Sequence, residues 1–84
     1  MTELMLAVLE TLRAVLPPSA GPLDEDTQLY DRPGFDSLAV AGVLERLEDR
    51  LGMEMDPGLI LPETFETPRT IAEALERSGA LVRE

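Results

Sequence analysis

Between Asp36 and Gly52 the chain carries an unbroken amphipathic run, Ser37 to about Leu51, and no other feature restricts the fold as strongly. At about 100° per residue, Val40, Val43, Leu44, Leu47 and Leu51 fall in one arc, a period that suits a helix and not a strand. Asp36 is a good N-cap, because its short carboxylate can accept from the free N–H groups of a first turn. Gly52 supplies the stop, with Arg50 placed near the last carbonyls. Leu38, Gly42, Glu45 and Asp49 fall on the opposite side. Leu38 is therefore an apolar residue that helical geometry puts on the solvent face beside Ser37. Gly42 costs about 1 kcal/mol relative to Ala in a helix interior, which points to a face kept bare for contact.

The same period organises the rest of the chain. Thr2 can cap a first helix through about Leu16, with Met5, Val8, Leu9, Leu12 and Leu16 on one face. Pro17-Pro18 stops it, since proline lacks the N–H and restricts the residue before it. Residues 17–36 hold Pro, Gly and Asp clusters, anchored by Leu23, Leu29 and Tyr30. So long a connection in a small domain is uncommon and often functional. After Gly52, the pattern predicts that Met53, Met55, Leu59 and Ile60 pack a loop on the core and that 62–66 form one short turn. Thr67-Pro68 predicts a last helix, an N-cap followed by proline at the first helical position. Its inward residues are Ile71, Ala74 and Leu75, and Ser78-Gly79 marks its end. No strand-like alternation or repeat competes. The expected fold is all-α: a small bundle of three to four helices, a single domain over 1–84, with a long loop between the first and second helices.

Composition then narrows the chemistry. A chain of 84 residues buries a thin core. With no cysteine and no histidine, disulfides, thiolate catalysis, His-assisted acyl transfer and most transition-metal sites are excluded. Seventeen acids against seven bases give a formal net charge of −10. Nucleic-acid binding, which rests on cations against phosphates, is disfavoured, and basic patches on partner proteins are favoured. No apolar stretch approaches the roughly 20 residues that span a bilayer, and Glu3 and Glu10 interrupt the first apolar run where a signal peptide would need continuity. The expectation is a cytoplasmic protein, a monomer without nucleic acid, membrane or metal.

Ser37 has no base to make it a nucleophile, yet a hydroxyl at a helix start is well placed for covalent attachment. The free N–H groups and the positive end of the macrodipole favour an anion there, so a phosphate esterified to Ser37 would be stabilised. Asp36 caps the helix and stands where it can help a modifying enzyme hold a divalent cation by the hydroxyl. The alternative use of Asp36-Ser37 is simply as a capping pair.

Gly34-Phe35-Asp36-Ser37-Leu38 resembles the attachment motif of acyl and peptidyl carrier proteins. The likeness extends over nearly the whole chain, through Asp26-Thr27-Gln28-Leu29 in the long loop, the serine-led second helix and the Thr-Pro-capped last helix. The resemblance implies that Ser37 bears a 4′-phosphopantetheine arm, transferred from coenzyme A by a Mg-dependent phosphopantetheinyl transferase. It also implies a terminal thiol that holds cargo as a thioester, and a docking patch at Leu38, Ala39, Gly42, Glu45 and Asp49. Partners would be acyl- or aminoacyl-loading and processing enzymes with basic docking patches; the carrier itself would be no enzyme. Carriers of fatty acid synthesis usually have an acid just after the Ser-Leu pair and another three residues on, where this chain has Ala39 and Gly42. Pro33 also stands where an aliphatic residue is common. Leu61 to Thr67 instead resembles discrete carriers of polyketide and nonribosomal peptide pathways, so the expectation is a stand-alone carrier of that kind.

Other classes fit less well. A Gly-Asp-Ser-Leu hydrolase would need glycine where Phe35 stands, and a histidine base. A calcium-binding loop is suggested by Asp24, Glu25, Asp26 and Asp31, but the alternating ligands, central glycine and final glutamate are missing. The remaining alternative is an acidic helical interaction module with no prosthetic group, in which Ser37 is only a cap.

Overall fold

Thr2 starts the first helix as its spacing predicts, its hydroxyl accepting from the Met5 N–H at 3.0 Å. The computed structural model describes residues 2–82, and among them are three α-helices, four short 3₁₀ turns and no strand. They are α1 (Glu3–Val15), α2 (Ser37–Leu51) and α3 (Pro68–Val82). Leu16 turns to extended backbone ahead of Pro17, which ends α1. Gly52 adopts the left-handed conformation, with φ of 65°, and closes α2. No helix among the described residues is long and apolar enough to cross a membrane.

The core lies where the three helices meet. Val8 and Leu12 of α1, Val43 and Leu47 of α2, and Ile71 and Leu75 of α3 are almost wholly buried, with Leu29, Met55 and Phe65 filling in from the connections. Each such side chain contributes about 1.5–3 kcal/mol on burial.

The connections depart from expectation in informative ways. The first contains 3₁₀ turns at Pro18–Ala20 and Leu29–Asp31 and is fastened to the start of α3. Leu29 N–H donates to Glu66 O at 2.8 Å and Arg69 N–H to Glu25 O at 3.0 Å, while the Arg69 guanidinium grips Asp26 at 2.9 Å and Glu25 at 3.1 Å. The hydrogen bond from Arg69 holds the Asp26 carboxyl below the usual aspartate range. Leu23 and Leu29 anchor this connection as expected, but Tyr30 is 47 % exposed, because its ring lies along a surface groove instead of in the core.

Ile60, expected to pack inward, is likewise exposed, whereas Met55 is buried. Bonds from Met55 N–H to Glu48 Oε2 at 3.0 Å and from Asp56 N–H to Ser78 Oγ at 2.8 Å draw the loop in at that point and leave Ile60 at the rim. This use of Ser78 also explains why α3 continues to Val82 and does not end at Ser78-Gly79. The serine is buried in the core, where it accepts from the loop and does not cap a helix end. Thr67 does cap α3, accepting from Thr70 N–H at 3.1 Å. Arg50, expected beside the last carbonyls of α2, reaches across to Glu10 of α1, since its turn of the helix faces α1.

Candidate functional site

Gly34 makes the turn that delivers the start of α2. Its φ is 84°, and a Cβ there would come within 2.8 Å of Pro17 Cδ, so only glycine lets the chain pass this close to the end of α1. Phe35 is buried and anchors the turn, with Tyr30 packed edge-on against it at 5.3 Å. Asp36 then caps α2: its Oδ1 accepts from Ala39 N–H at 2.9 Å and its backbone carbonyl from Val40 N–H at 2.9 Å. These contacts set Ser37 as the first helical residue, exposed at the positive end of the helix.

The expected docking residues separate into two groups. Leu38 is 82 % exposed, and Glu45 and Asp49 are exposed along the same side of α2. Ala39, by contrast, is only 8 % exposed and belongs to the core. The buried stripe of α2 is Ala39-Val43-Leu47, rotated from the sequence-derived arc so that Val40, Leu44 and Leu51 lie at its edge. Gly42 is half-buried, turned toward Val15 of α1, where an added Cβ would lie 3.9 Å from Val15 Cγ1. It borders the open face, about 40° round the helix from Leu38, and the space around it would admit alanine.

On the other side of Ser37 is a groove of about 310 Å³ that spacing alone does not reveal. Phe35, Val40 and Phe65 line it from the helices and turns, and Tyr30 and Ile60-Leu61-Pro62 line it from the two connections. Its walls are apolar, with Asp36 and Ser37 the polar groups beside it. The one sequence feature that could have pointed to it is the apolar pair Ile60-Leu61 in a proline-rich connection, a pair the structure leaves exposed. A larger hollow, about 480 Å³, lies at the opposite end of α2 among Glu48, Asp49, Gly52, Met53 and Glu54; it has no hydroxyl or other nucleophile and is acidic.

Chemically, the arrangement offers an exposed hydroxyl, amide dipoles suited to an anion next to it, an apolar groove on one side and an acidic face on the other. With no histidine or cysteine in the chain, nothing local removes the Ser37 proton in the manner of a hydrolase. The Tyr30 phenol is held protonated: burial, then Glu66 and Glu63, push its pKa upward. Asp24 and Asp26, two of the four acids that suggested calcium, spend their carboxylates otherwise. Asp24 Oδ1 accepts from Asp26 N–H at 2.9 Å, and Asp26 pairs with Arg69. A family model described as phosphopantetheine attachment site matches residues 6–75 of the chain. Comparison with curated proteins gives no match.

Proposed function

The chain belongs to the phosphopantetheine attachment family, whose members bind 4′-phosphopantetheine covalently, and from this premise we propose that Ser37 is the residue that bears the arm. When bound, the arm supplies a thiol that holds an acyl or aminoacyl group as a thioester. The residues present fit such a group. Ser37 is exposed at the start of α2, where the first-turn N–H groups favour its phosphodiester. The apolar groove beside it can cover the less polar parts of an arm or its cargo. The observation that carries the assignment is this exposed serine, capped into place by Asp36 at the lip of the groove.

The chain's own part is presentation. Ser37 Oγ loses its proton to a base of the modifying transferase and forms the new P–O bond, while the pyrophosphate bond of coenzyme A breaks and adenosine 3′,5′-bisphosphate leaves. No catalytic group of this chain takes part. Once loaded, the tether raises the effective concentration of cargo at any docked enzyme. Leu38, Glu45 and Asp49 form the proposed docking face for the transferase and for loading and processing enzymes, whose basic patches complement the acidic surface. Ala39 is removed from that face by its burial. Alanine and glycine at 39 and 42, with Leu61 to Thr67, support service in polyketide or nonribosomal peptide assembly over primary fatty acid synthesis.

The test is intact mass after incubation with a broad-specificity phosphopantetheinyl transferase, Mg²⁺ and coenzyme A. The expected result is a gain of one phosphopantetheinyl group in the parent and none in Ser37→Ala. A folded parent that gains no mass overturns the assignment and favours an unmodified interaction module.

A further inference from the structure

All seven cationic side chains of the chain are arginines, and the fold engages four of them. Arg13 donates to Leu23 O at 3.5 Å and Arg32 to Ala20 O at 3.1 Å. Arg50 pairs with Glu10, and Arg69 holds Asp26 and Glu25. Arg83 lies outside the described residues. Arg46 and Arg77 are exposed, and among the described residues neither guanidinium has a hydrogen bond or an ion pair. Arg77 belongs to α3. Arg46 belongs to the helix that Ser37 begins, beside Glu45 and one turn before Asp49.

The spacing along α2 leaves Arg46 unsatisfied. A carboxylate supports a cation best from four residues before it, and that position is Gly42. Four residues after it stands Arg50, a like charge that repels at this spacing and is itself engaged by Glu10. Asp49, three residues on, makes no ion pair with it. The helix therefore gains nothing from a cation at 46. Solubility gains nothing either, since one cation more brings the net charge, −10, nearer to zero. At 1.5 Å per residue, Arg46 stands about 14 Å along the helix from Ser37, beyond the reach of a phosphate esterified there. It borders the open face, beside Gly42 and about 60° round the helix from Asp49.

On the basis of the carrier reading above, we propose that Arg46 selects partner enzymes by charge. The partner it fits has a docking patch that is basic opposite Glu45 and Asp49 and carries a carboxylate opposite Arg46. A patch basic throughout meets Arg46 with a like charge and docks more weakly. An enzyme that serves carriers with an acid at the position of Gly42 offers a cation there. Residues 42 and 46 are neighbours on the helix surface, so that same cation stands against Arg46. Long-range attraction to the acidic chain brings either kind of patch close, and Arg46 discriminates between them at contact.

The experiment measures phosphopantetheinylation of the parent, Arg46→Glu and Arg77→Glu by two enzymes. One is the transferase that serves carriers of fatty acid synthesis, and the other is a broad-specificity transferase. With the first, Arg46→Glu should lower KM by about twofold to tenfold, since it exchanges one exposed repulsion for one attraction. The gain should leave kcat the same and shrink as salt is added. Arg77→Glu makes the same change in net charge and should leave KM unchanged. An Arg46→Glu protein that the first enzyme handles no better than the parent, or an equal gain in Arg77→Glu, overturns the proposal. The basic residues of that enzyme's docking patch are then reversed to Glu one at a time. One reversal should lower KM for the parent and raise it for Arg46→Glu, the crossed pattern that direct contact produces. If no reversal does so, the carboxylate opposite Arg46 is overturned. Each of these failures leaves the carrier reading standing so long as the broad-specificity enzyme modifies the parent. A parent that neither enzyme modifies overturns both.

Discussion

On α2, Leu38 is 82 % exposed and its neighbour Ala39 is 8 % exposed, so the larger apolar side chain faces water and the smaller one faces the core. Ala39 heads the stripe that continues through Val43 and Leu47 against the other helices, while Leu38 shares its side with Glu45 and Asp49. Hydrophobicity alone would assign the pair the other way round. Leaving a leucine in water forgoes about 1.5–3 kcal/mol of burial, a cost the fold has no structural need to bear. The difference teaches that packing shapes one face of α2 and leaves Leu38 open on the other, the face proposed for docking.

That contrast can be broken or sharpened by substitution. The largest change in stability is expected from the buried face: Leu47→Ala should cost about 2–5 kcal/mol, read from chemical denaturation. Next, Ala39→Leu should destabilise by about 1–3 kcal/mol through overpacking. A neutral result there would return Ala39 to the docking face. Gly42→Ala should act in the other direction, stabilising by about 1 kcal/mol, since an added Cβ has room beside Val15; a lowered melting temperature would show that this part of α2 is packed more closely than its spacing implies. On the outer face, Leu38→Ala and Glu45→Lys should change stability by no more than about 0.5 kcal/mol but slow modification of Ser37 or processing of its cargo. Unchanged rates with every partner enzyme would refute the docking role.

The smallest effect concerns the exposed ion pair that fastens the first connection to α3. Arg69 lowers the Asp26 carboxyl pKa in the folded state, so the pair adds stability above the ordinary aspartate value of about 3.9, and the contribution is lost as pH falls through the lower folded value. The difference in melting temperature between the parent and Asp26→Asn should therefore be present at neutral pH and vanish in strong acid. It should also shrink with salt, as an exposed pair requires.

Much of this was legible from residues alone. The helices are local structures, announced by period and by caps: Thr2, Asp36 and Thr67 each accept the hydrogen bond their position predicts. Ser37 and Leu38 could be singled out for the same reason, since a first-turn residue and its facing are settled within one turn. The errors fall where one segment meets another. Tyr30 and Ile60 read as core anchors because they are apolar, yet both are exposed at the rims of the groove. Ser78-Gly79 read as a helix end, yet Ser78 is consumed by Asp56 from a distant loop. Ala39 entered the docking patch through the family likeness and not through the period, and the packing of α1 and α3 puts it instead at the head of the buried stripe Ala39-Val43-Leu47.

Period, caps and composition therefore determined an all-α domain with a serine at the head of its second helix and no means of activating it. The tertiary structure alone decided where the edge of that helix's buried stripe falls, and it made the groove from side chains of Tyr30 and of Ile60 to Pro62. The physical reason is range. Helix formation and capping rest on bonds between residues three or four apart, whereas a groove exists only once separate connections have been brought together, and no pattern along a single segment records where another will pack.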